Sequence, residues 1–361
     1  MTDLRALLAE LAVPRLAGTP NNEAVRSALK RELSARGCVV MEHRFAASPR
    51  GLWVVTVCGR ALAVTAAAVG VAILLHLRGL FPLLVVVGVL AGFSLYALGA
   101  VFGIIPCPWP SAECVNLIAV RPRTRVGVWL TAHYDSKGQV MSMAGRLAAL
   151  ALALAGSAGV LALGALQLLG RGVPEPPWLL FLALAALGGQ RLARGRARDD
   201  SPGAVDNATG LIAVLATLDA LPPDAPVGVI FPDGEELGLQ GARAIARERA
   251  NLLADTAVIN FDGIDDRGGV VAFVHRSGPI VDAVAAALDA RRWRRLPVLV
   301  DGIAFAGAAR ECVTIMKGDW DTMRVVHRPA DTTQRLRLEG VWDVGVRVAK
   351  VLAASPALTP S

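Results

Sequence analysis

Two long apolar stretches, at about residues 61–105 and 144–190, interrupt an otherwise charged sequence. They raise the hydrophobic content of the 361-residue chain to 54% and its mean hydropathy to +0.50, which is too apolar for an ordinary soluble domain. Each stretch contains two runs that approach or reach the roughly 20 residues needed to cross a hydrocarbon core. These runs are Ala61–Leu77, Leu80–Ile105, Leu147–Gly170 and Val173–Leu192. We therefore predict two transmembrane helical hairpins, with buried core helices as the alternative for the second pair.

The hairpins divide the rest of the chain into three parts of one polar domain. The predicted boundaries are 1–59, 107–140 and 193–361 for the polar domain, and 60–106 and 141–192 for the two hairpins. The predicted far-side turns carry only Arg78 and Arg171, whereas eleven basic residues lie beside the polar domain. They are Arg50, Arg60, Arg121, Arg123, Arg125, Lys137, Arg146, Arg191, Arg194, Arg196 and Arg198. The positive-inside rule then predicts a multi-pass cell membrane protein whose polar domain is cytoplasmic.

The charge distribution also separates classes of partner. The net charge is +7, and many of the basic residues crowd beside the apolar segments, which favours a lipid bilayer with anionic headgroups. The sequence lacks the repeated interleaving of basic and aromatic residues that is typical of proteins that bind single-stranded nucleic acid. We predict no nucleic-acid partner, and the sequence does not indicate the oligomeric state.

The polar parts alternate between helical and strand-like patterns. Residues 1–37 indicate two helices, and the segments beginning at Val39, Leu52, Val115 and Val126 resemble strands. If the last two form an antiparallel pair, both hairpins leave the sheet at one edge. Predicted helices at 211–221, 240–251, 279–290 and 338–353 alternate with predicted strands at 227–231, 257–261 and 297–300. This order predicts an α/β fold with a largely parallel central sheet covered by helices on both faces.

Five segments place acids and histidines beside apolar strand-like runs. They are Thr131–Asp135, Gly203–Gly210, Asp233–Gly238, Asn260–Gly263 and Val326–Thr332. Each residue alone is more often structural: a lone histidine at a strand end is usually not a ligand, and a Glu-Glu pair is usually solvated. Together, however, they supply ligands for two adjacent metal ions. The other histidines, at 43, 76 and 275, lack such companions and are assigned structural roles.

The spacing within the segments suggests a division of roles. His133 can bind a metal while Asp135 accepts its other ring N–H or supports the loop. Asp206 can offer one oxygen to each of two metals. Glu236 can be a ligand while Glu235 faces the cleft as a general base.

Asp262 and His327 complete the predicted metal set, and Asp301 is a candidate acid supporting the ligands or facing the substrate. Mixed nitrogen and oxygen ligands with open positions favour zinc, with cobalt or manganese as alternatives. Two such metals can share a water molecule and polarise a carbonyl, and Glu235 would pass the proton of that water to the leaving amine.

In these segments, and in the entry segment Pro14–Pro20, the chain resembles the M28 family of zinc aminopeptidases. The resemblance covers most of the polar domain and none of the apolar runs. It implies a zinc-peptidase-like mixed α/β fold, with the hairpins as insertions, and two zinc ions. His133 and Asp262 would hold one ion, Glu236 and His327 the other, Asp206 would bridge them, and Glu235 and Asp135 would act in catalysis. The implied activity is removal of amino-terminal residues from peptides or proteins by a membrane-anchored enzyme.

Two alternatives keep the same fold. One is a glutaminyl-cyclase-like aminoacyl transferase with one zinc; the other is a non-catalytic membrane receptor or adaptor. Val326 occupies the position where many M28 members have a tyrosine that helps to stabilise the oxyanion. With only Tyr96 and Tyr134 in the chain, a tyrosine donor would have to be Tyr134.

Overall fold

The computed structural model describes residues 3–49, 51–74, 112–122, 125–294 and 298–355. The chain forms two compact units. The sheet unit comprises Met1–Pro49, Trp109–Gly138 and Arg198–Ser361, and the helical unit comprises Arg50–Pro108 and Gln139–Ala197.

The sheet unit is built on eight strands in the order β1-β2-β6-β3-β7-β10-β8-β9. The strands are β1 (Val39–Ala47), β2 (Ala112–Val120), β3 (Val128–Thr131), β6 (Val227–Phe231), β7 (Ala257–Ile264), β8 (Gly269–Arg276), β9 (Arg291–Trp293) and β10 (Glu311–Gly318). The two-residue strands β4 (Gly138–Gln139) and β5 (Ala197–Arg198) lie where the sequence passes from one unit to the other. The four central strands β6, β3, β7 and β10 are mutually parallel, while β1, β2 and β8 join by antiparallel pairing. The predicted α/β fold with a largely parallel central sheet is therefore confirmed.

Helices cover both faces of this sheet. They are α1 (Leu4–Leu11), α2 (Pro20–Ala35), α6 (Thr209–Ala220), α7 (Gln240–Glu248), α8 (Ala250–Leu253), α9 (Pro279–Ala287), α10 (Asp301–Phe305), α11 (Trp320–Val325) and α12 (Glu339–Ala354). On one face, α1, α2, α6, α9 and α12 pack against side chains such as Leu130 and Ile259. On the other, α7, α8 and α10 pack against Trp129 and Val258. Adjacent residues of one strand thus belong to opposite cores, which explains why the central strands are apolar without alternation.

Two details of the sheet unit differ from the predictions. The predicted antiparallel pairing of the segments at 115 and 126 is wrong, because β6 lies between β2 and β3 and pairs with both. β6 pairs antiparallel with β2 and parallel with β3, so it separates two segments that are neighbours in the sequence. The strand predicted at 297–300 is also wrong, since residues 298–300 are irregular and lead directly into α10. The start of β2 nevertheless lies at the sheet edge where the parallel strands end. β2 runs antiparallel to β6, and its residue Leu117 pairs with Phe231, the last residue of β6.

The helical unit contains α3 (Gly51–Leu74), α4 (Met143–Leu168) and α5 (Glu175–Ala193). The segment beginning at Leu52, predicted as a strand, is helical. Its β-branched residues lie at the start of a 24-residue apolar helix, and helix propagation outweighs their local preference. The apolar run Leu80–Ile105 lies outside the described residues.

Small residues allow these helices to approach closely. A Cβ at Gly59 of α3 would lie 2.6 Å from the carbonyl oxygen of Gly189 in α5. A Cβ at Gly156 of α4 would lie 2.3 Å from the amide nitrogen of Ala185 in α5. Small residues at helix contacts are typical of membrane helices. Among the helices of the described ranges, Met143–Gln167 is long and apolar enough to cross a membrane, and Val55–Val71 is a shorter apolar segment.

Candidate metal centre

The carboxyl ends of three neighbouring parallel strands bring the predicted ligands together. His133 follows β3, Glu235 and Glu236 follow β6, and Asp262 lies near the end of β7. Because parallel strands end at one edge of a sheet, side chains from these strands meet there. Asp206 and His327 come from the segments before α6 and after α11.

The aspartate at position 206 lies between the two histidines. Its Oδ1 is 3.1 Å from Nε2 of His133, and its Oδ2 is 2.8 Å from Nε2 of His327. The Nε2 atom of His133 is also 3.9 Å from Oδ1 of Asp262. On the other side, Nε2 of His327 is 3.2 Å from Oε1 of Glu236. The result is two groups of three potential ligands that share Asp206, with the ligand atoms of each group within 4.8 Å of one another.

The chemistry of this donor set fits two divalent metal ions. All five side chains are buried. Oδ1 of Asp206 and Oε1 of Glu236 receive no hydrogen bond from any residue that the structure describes. Buried carboxylate oxygens without donors are costly unless a cation neutralises them. Three ligands per group leave positions for water or substrate, as catalytic metal sites require.

The acids and histidines perturb one another strongly. Burial would raise the pKa of Glu236, but the charges of His327 and Lys137 lower it to about 2. Burial would lower the pKa of His327, whereas Glu236 and Asp206 raise it to about 9. Burial raises the pKa of Asp262 to about 7, against the opposing charge of His133. The negative charges of the carboxylates thus outweigh the positive charges in the site and stabilise a cation there.

Glu235 differs from its neighbour in the sequence. Burial raises its pKa well above the usual range, and the negative charges of Glu236 and Asp262 add to that effect while His133 opposes it. Glu235 belongs to neither of the two ligand groups. Its negative charge nevertheless raises the pKa of His133, which is a member of one group. A carboxyl group with a raised pKa beside a candidate metal pair is suited to carrying a proton.

Asp135 holds the loop that carries both glutamates. Its Oδ1 accepts the backbone N–H of Glu235 at 3.1 Å, and its Oδ2 accepts that of Glu236 at 3.0 Å. The ring Nδ1 of His133 lies 3.1 Å from the backbone carbonyl oxygen of Asp135 and 3.5 Å from its carboxylate. Asp135 is fully buried, so its geometry supports the loop-holding alternative, in which it positions the glutamates and does not touch substrate.

A second buried acid positions Asp206. The carboxylate of Asp331 accepts the backbone N–H groups of Val205 at 2.8 Å and Asp206 at 3.2 Å. Gly203 begins this segment in the left-handed region, with φ of 58°, and a Cβ there would lie 2.4 Å from the carbonyl oxygen of Asp206. Glycine adopts that conformation without strain and leaves the required space. His327 also has a positive φ, 62°, and such backbone strain in a non-glycine residue clusters at functional sites.

Two basic residues that the sequence analysis did not assign to the site contact its loops. Arg15 is fully buried and donates hydrogen bonds to the carbonyl oxygens of Val13, Tyr134, Pro202 and Gly203. Lys137 donates to Oε2 of Glu236. The only sequence signals were their positions, within the entry segment and two residues after Asp135.

The remaining candidates have distinct surroundings. Asp301 is fully buried at the start of α10, and neither carboxylate oxygen has a hydrogen-bond donor within the described parts of the chain. Burial raises its pKa to about 8, with the charge of His133 opposing and those of Asp135 and Asp262 adding to that effect. The hydroxyl of Tyr134 donates to the carbonyl oxygen of Val115 at 2.6 Å, so this buried side chain is not free to stabilise an oxyanion.

The histidines assigned structural roles lie outside the two ligand groups. His43 contacts Glu248 through Nε2 at 3.0 Å and Asn116 through Nδ1 at 3.1 Å. His275 contacts the hydroxyl of Thr314 at 2.8 Å. His76 lies outside the described residues.

Comparisons with known proteins agree with this architecture. A model of peptidase family M28 matches residues 116–352. The structure is similar to BSAP, a zinc aminopeptidase from Bacillus subtilis, with a TM-score of 0.56 and 14% identity over 98% of this chain and 96% of that chain. It is similar to the LapA aminopeptidase of Legionella pneumophila, with a TM-score of 0.52 and 10% identity over 98% and 72% of the two chains. A glutaminyl cyclase from Fimbriiglobus ruber gives a TM-score of 0.51 and 16% identity over 98% and 94%. At these identities the similarity demonstrates the fold alone, and no curated protein matches the chain by sequence.

Proposed function

Because the chain belongs to peptidase family M28, we propose that it is a zinc-dependent aminopeptidase that removes amino-terminal residues from peptides or proteins. The observation that carries the proposal is the position of Asp206, which directs one carboxylate oxygen toward each of two histidines. That arrangement suits a carboxylate shared by two metal ions. The similar fold of BSAP, a zinc aminopeptidase, supports the choice of metal and reaction, and that of the LapA aminopeptidase supports the reaction.

We assign the ligands from the two groups of side chains. His133, Asp206 and Asp262 would hold one zinc ion, and Asp206, Glu236 and His327 the other. When bound, the two ions would supply Lewis acidity toward a substrate carbonyl and an adjoining water molecule. Cobalt or manganese could occupy the same mixed nitrogen and oxygen ligands.

Glu235 would act as the general base. Its carboxylate takes a proton from the attacking water and gives it to the nitrogen of the leaving amine. Burial raises the pKa of Glu235, so its carboxylate holds a proton more strongly than an exposed glutamate does and can carry it to the leaving amine. Asp135 assists indirectly by fixing the backbone N–H groups of both glutamates.

The test compares wild-type protein with Glu235→Gln in detergent solution. Zinc content is measured by mass spectrometry, and activity is measured on a panel of fluorogenic aminoacyl substrates. We expect two zinc ions per chain in both proteins and a kcat about 10²–10⁴-fold lower in the variant. Glu10→Gln, which alters an exposed ion pair with Arg31, is the matched control and should retain full activity. Wild-type protein that takes up no zinc, or a fully active Glu235→Gln, would refute the proposal.

The alternative reaction is glutaminyl cyclisation, which the similarity to the F. ruber cyclase favours. A cyclase would bind one zinc ion and release ammonia from a peptide with amino-terminal glutamine. The same samples distinguish the two reactions, because hydrolysis frees an amino acid whereas cyclisation leaves the peptide chain intact. The complete pair of ligand groups supports the hydrolase, and it also argues against a receptor or adaptor that needs no metal.

We further propose that the two apolar inserts anchor this enzyme in the cell membrane as helical hairpins, with the peptidase domain on the cytoplasmic side. Only 17% of the apolar window in α4 is buried within the protein. Val64, Leu154 and Leu180 are all more than half exposed, which suits lipid contact. Resistance of the membrane-bound protein to alkaline carbonate extraction tests the anchor. Release of the protein by carbonate would refute the anchor. The orientation is tested separately: a cysteine introduced at Arg171 should react with an impermeant thiol reagent added outside intact cells.

A further inference from the structure

Hydrolysis of a peptide bond is faster when hydrogen-bond donors, in addition to any metal ion, face the oxygen that becomes negatively charged. When water adds to the carbonyl carbon, the π electron pair moves to the carbonyl oxygen. A preorganised hydrogen-bond donor at that position accelerates such reactions about 10²–10³-fold. The metal-facing side chains are carboxylates and histidines, so the five ligands offer few donors once a metal is bound.

Most of the other polar groups near the site are already committed. The hydroxyl of Tyr134 donates to Val115 within the core. Arg15 has no exposed surface, and its guanidinium donates to four backbone carbonyl oxygens. Neither group can reach a substrate without dismantling the loops that it holds.

Lys137 is different. Its ammonium group donates one hydrogen bond to Oε2 of Glu236, and its other two N–H bonds have no partner in the described parts of the chain. Its side chain is 12% exposed, compared with 2% for Glu236, so it lies at the margin of the buried site. Its charge also acts on His327, which belongs to the same ligand group as Glu236.

The backbone before Lys137 is fixed. Oγ of Ser136 accepts the backbone N–H of Arg15 at 3.1 Å and donates to the carbonyl oxygen of Ser201 at 3.1 Å. The contact with Glu236 then restrains the end of the lysine side chain. A cation held at both ends needs little reorganisation during a reaction.

We propose that Lys137 is a catalytic residue that stabilises the oxyanion, donating an ammonium N–H to the carbonyl oxygen of the bond being cleaved. This inference rests on the proposed peptidase function. Water forms the new C–O bond, Glu235 takes its proton, and the electron pair on the carbonyl oxygen is held by Lys137 without proton transfer. The pair then returns, the C–N bond breaks, and the proton on Glu235 passes to the amine nitrogen. The products are a free amino acid and a peptide shortened by one residue.

A structural role for the same lysine makes different predictions. If Lys137 only orients Glu236, its removal changes zinc affinity, and excess zinc restores activity. If it stabilises the oxyanion, zinc content and KM are retained while kcat falls. Affinity for a tetrahedral anion that resembles the intermediate falls in parallel with kcat.

The experiment uses full-length wild-type, Lys137→Met and Lys137→Arg proteins in detergent, each assayed without added zinc and with saturating zinc. Zinc content, kcat and KM are measured together with calorimetric binding of phosphonic acid analogues of alanine, leucine and phenylalanine. The corresponding amino acids serve as ligands without the tetrahedral anion. We expect Lys137→Met to keep two zinc ions and a KM within about 3-fold, while kcat and phosphonate affinity fall about 10²-fold or more. Lys137→Arg, which keeps the charge, should lie between, and Lys30→Met, which alters a surface pair with Glu42, should match wild type.

Each other outcome overturns the assignment. Wild-type kcat in Lys137→Met, activity restored by zinc, or equal losses for phosphonates and amino acids would each exclude oxyanion stabilisation by Lys137. If wild-type protein neither hydrolyses peptides nor binds the phosphonates, the proposed peptidase function fails, and the role of Lys137 fails with it.

Discussion

Replacing Arg15 with methionine should destabilise the sheet unit more than most single substitutions would. The guanidinium donates to the carbonyl oxygens of Tyr134 at 2.7 Å and Gly203 at 3.0 Å, and it also contacts those of Val13 and Pro202. It therefore joins the amino-terminal segment to the loop after β3 and to the segment that leads to Asp206. Methionine fills much of the same volume but donates nothing.

The size of the effect follows from the groups left behind. A hydrogen bond to a charged group contributes about 1.5–3 kcal/mol, and removing one partner of a buried ionic cluster costs about 3–5 kcal/mol. Four carbonyl oxygens lose their donor, but the loops can relax and water can reach some of them. The charges of Asp135, Asp206 and Asp331 also lose one compensating positive charge, because these acids all act on Arg15. We expect the free energy of unfolding to fall by about 3–5 kcal/mol, which lowers Tm by about 10 °C for a unit of this size.

Intrinsic fluorescence of the detergent-solubilised protein during heating measures this shift. Arg5→Met removes an exposed arginine of α1 and is the matched control. Arg15→Lys keeps the charge but not the planar fork, so it should lie between wild type and Arg15→Met. A Tm for Arg15→Met within about 2 °C of wild type would refute this account of the loops.

Two further predictions concern the buried acid behind Asp206 and a buried histidine. In Asp331→Asn, one of the two acceptors for backbone N–H groups is lost, so zinc affinity should fall about 10–100-fold in a chelator competition assay. Asp224→Asn on the surface should leave zinc affinity unchanged. Burial lowers the pKa of His275 to about 4, so the unfolded chain binds this proton more readily and stability declines as pH falls from about 6.5 toward 4. His275→Gln should therefore show a flatter decline in denaturant midpoint over that range; a decline as steep as in wild type would assign the proton to other groups.

The sequence was most informative where function requires a fixed residue type next to a strand. His133, the two glutamates and Asp262 lie at or just after the ends of apolar strand-like runs, and parallel strands bring their carboxyl ends to one edge. The structure brings those residues together with Asp206 and His327. Their roles as ligands stay predictions, but their proximity followed from the order of strands and helices.

Other features depend on tertiary packing and leave little trace in the sequence. The insertion of β6 between β2 and β3 joins segments about 100 residues apart, so the nearness of β2 and β3 in the sequence does not reveal it. The segment after Leu52 has the composition of a strand, yet it is drawn into a long helix by the apolar residues that follow. The contact of Lys137 with Glu236 joins residues 99 positions apart, so no local pattern could indicate it.

Buried aspartates hold the loops around the site by accepting hydrogen bonds from backbone N–H groups. Asp135, Asp233 and Asp331 each accept two or more hydrogen bonds from the protein, including backbone N–H groups of neighbouring loops. These acids fix the ligand loops through the protein's own contacts. The same arrangement concentrates buried negative charge, and burial raises the pKa of Asp233 to about 7 and that of Asp331 to about 6. Divalent cations relieve that charge only in the folded protein, so zinc should stabilise folding in proportion to RT ln(1 + [Zn]/Kd).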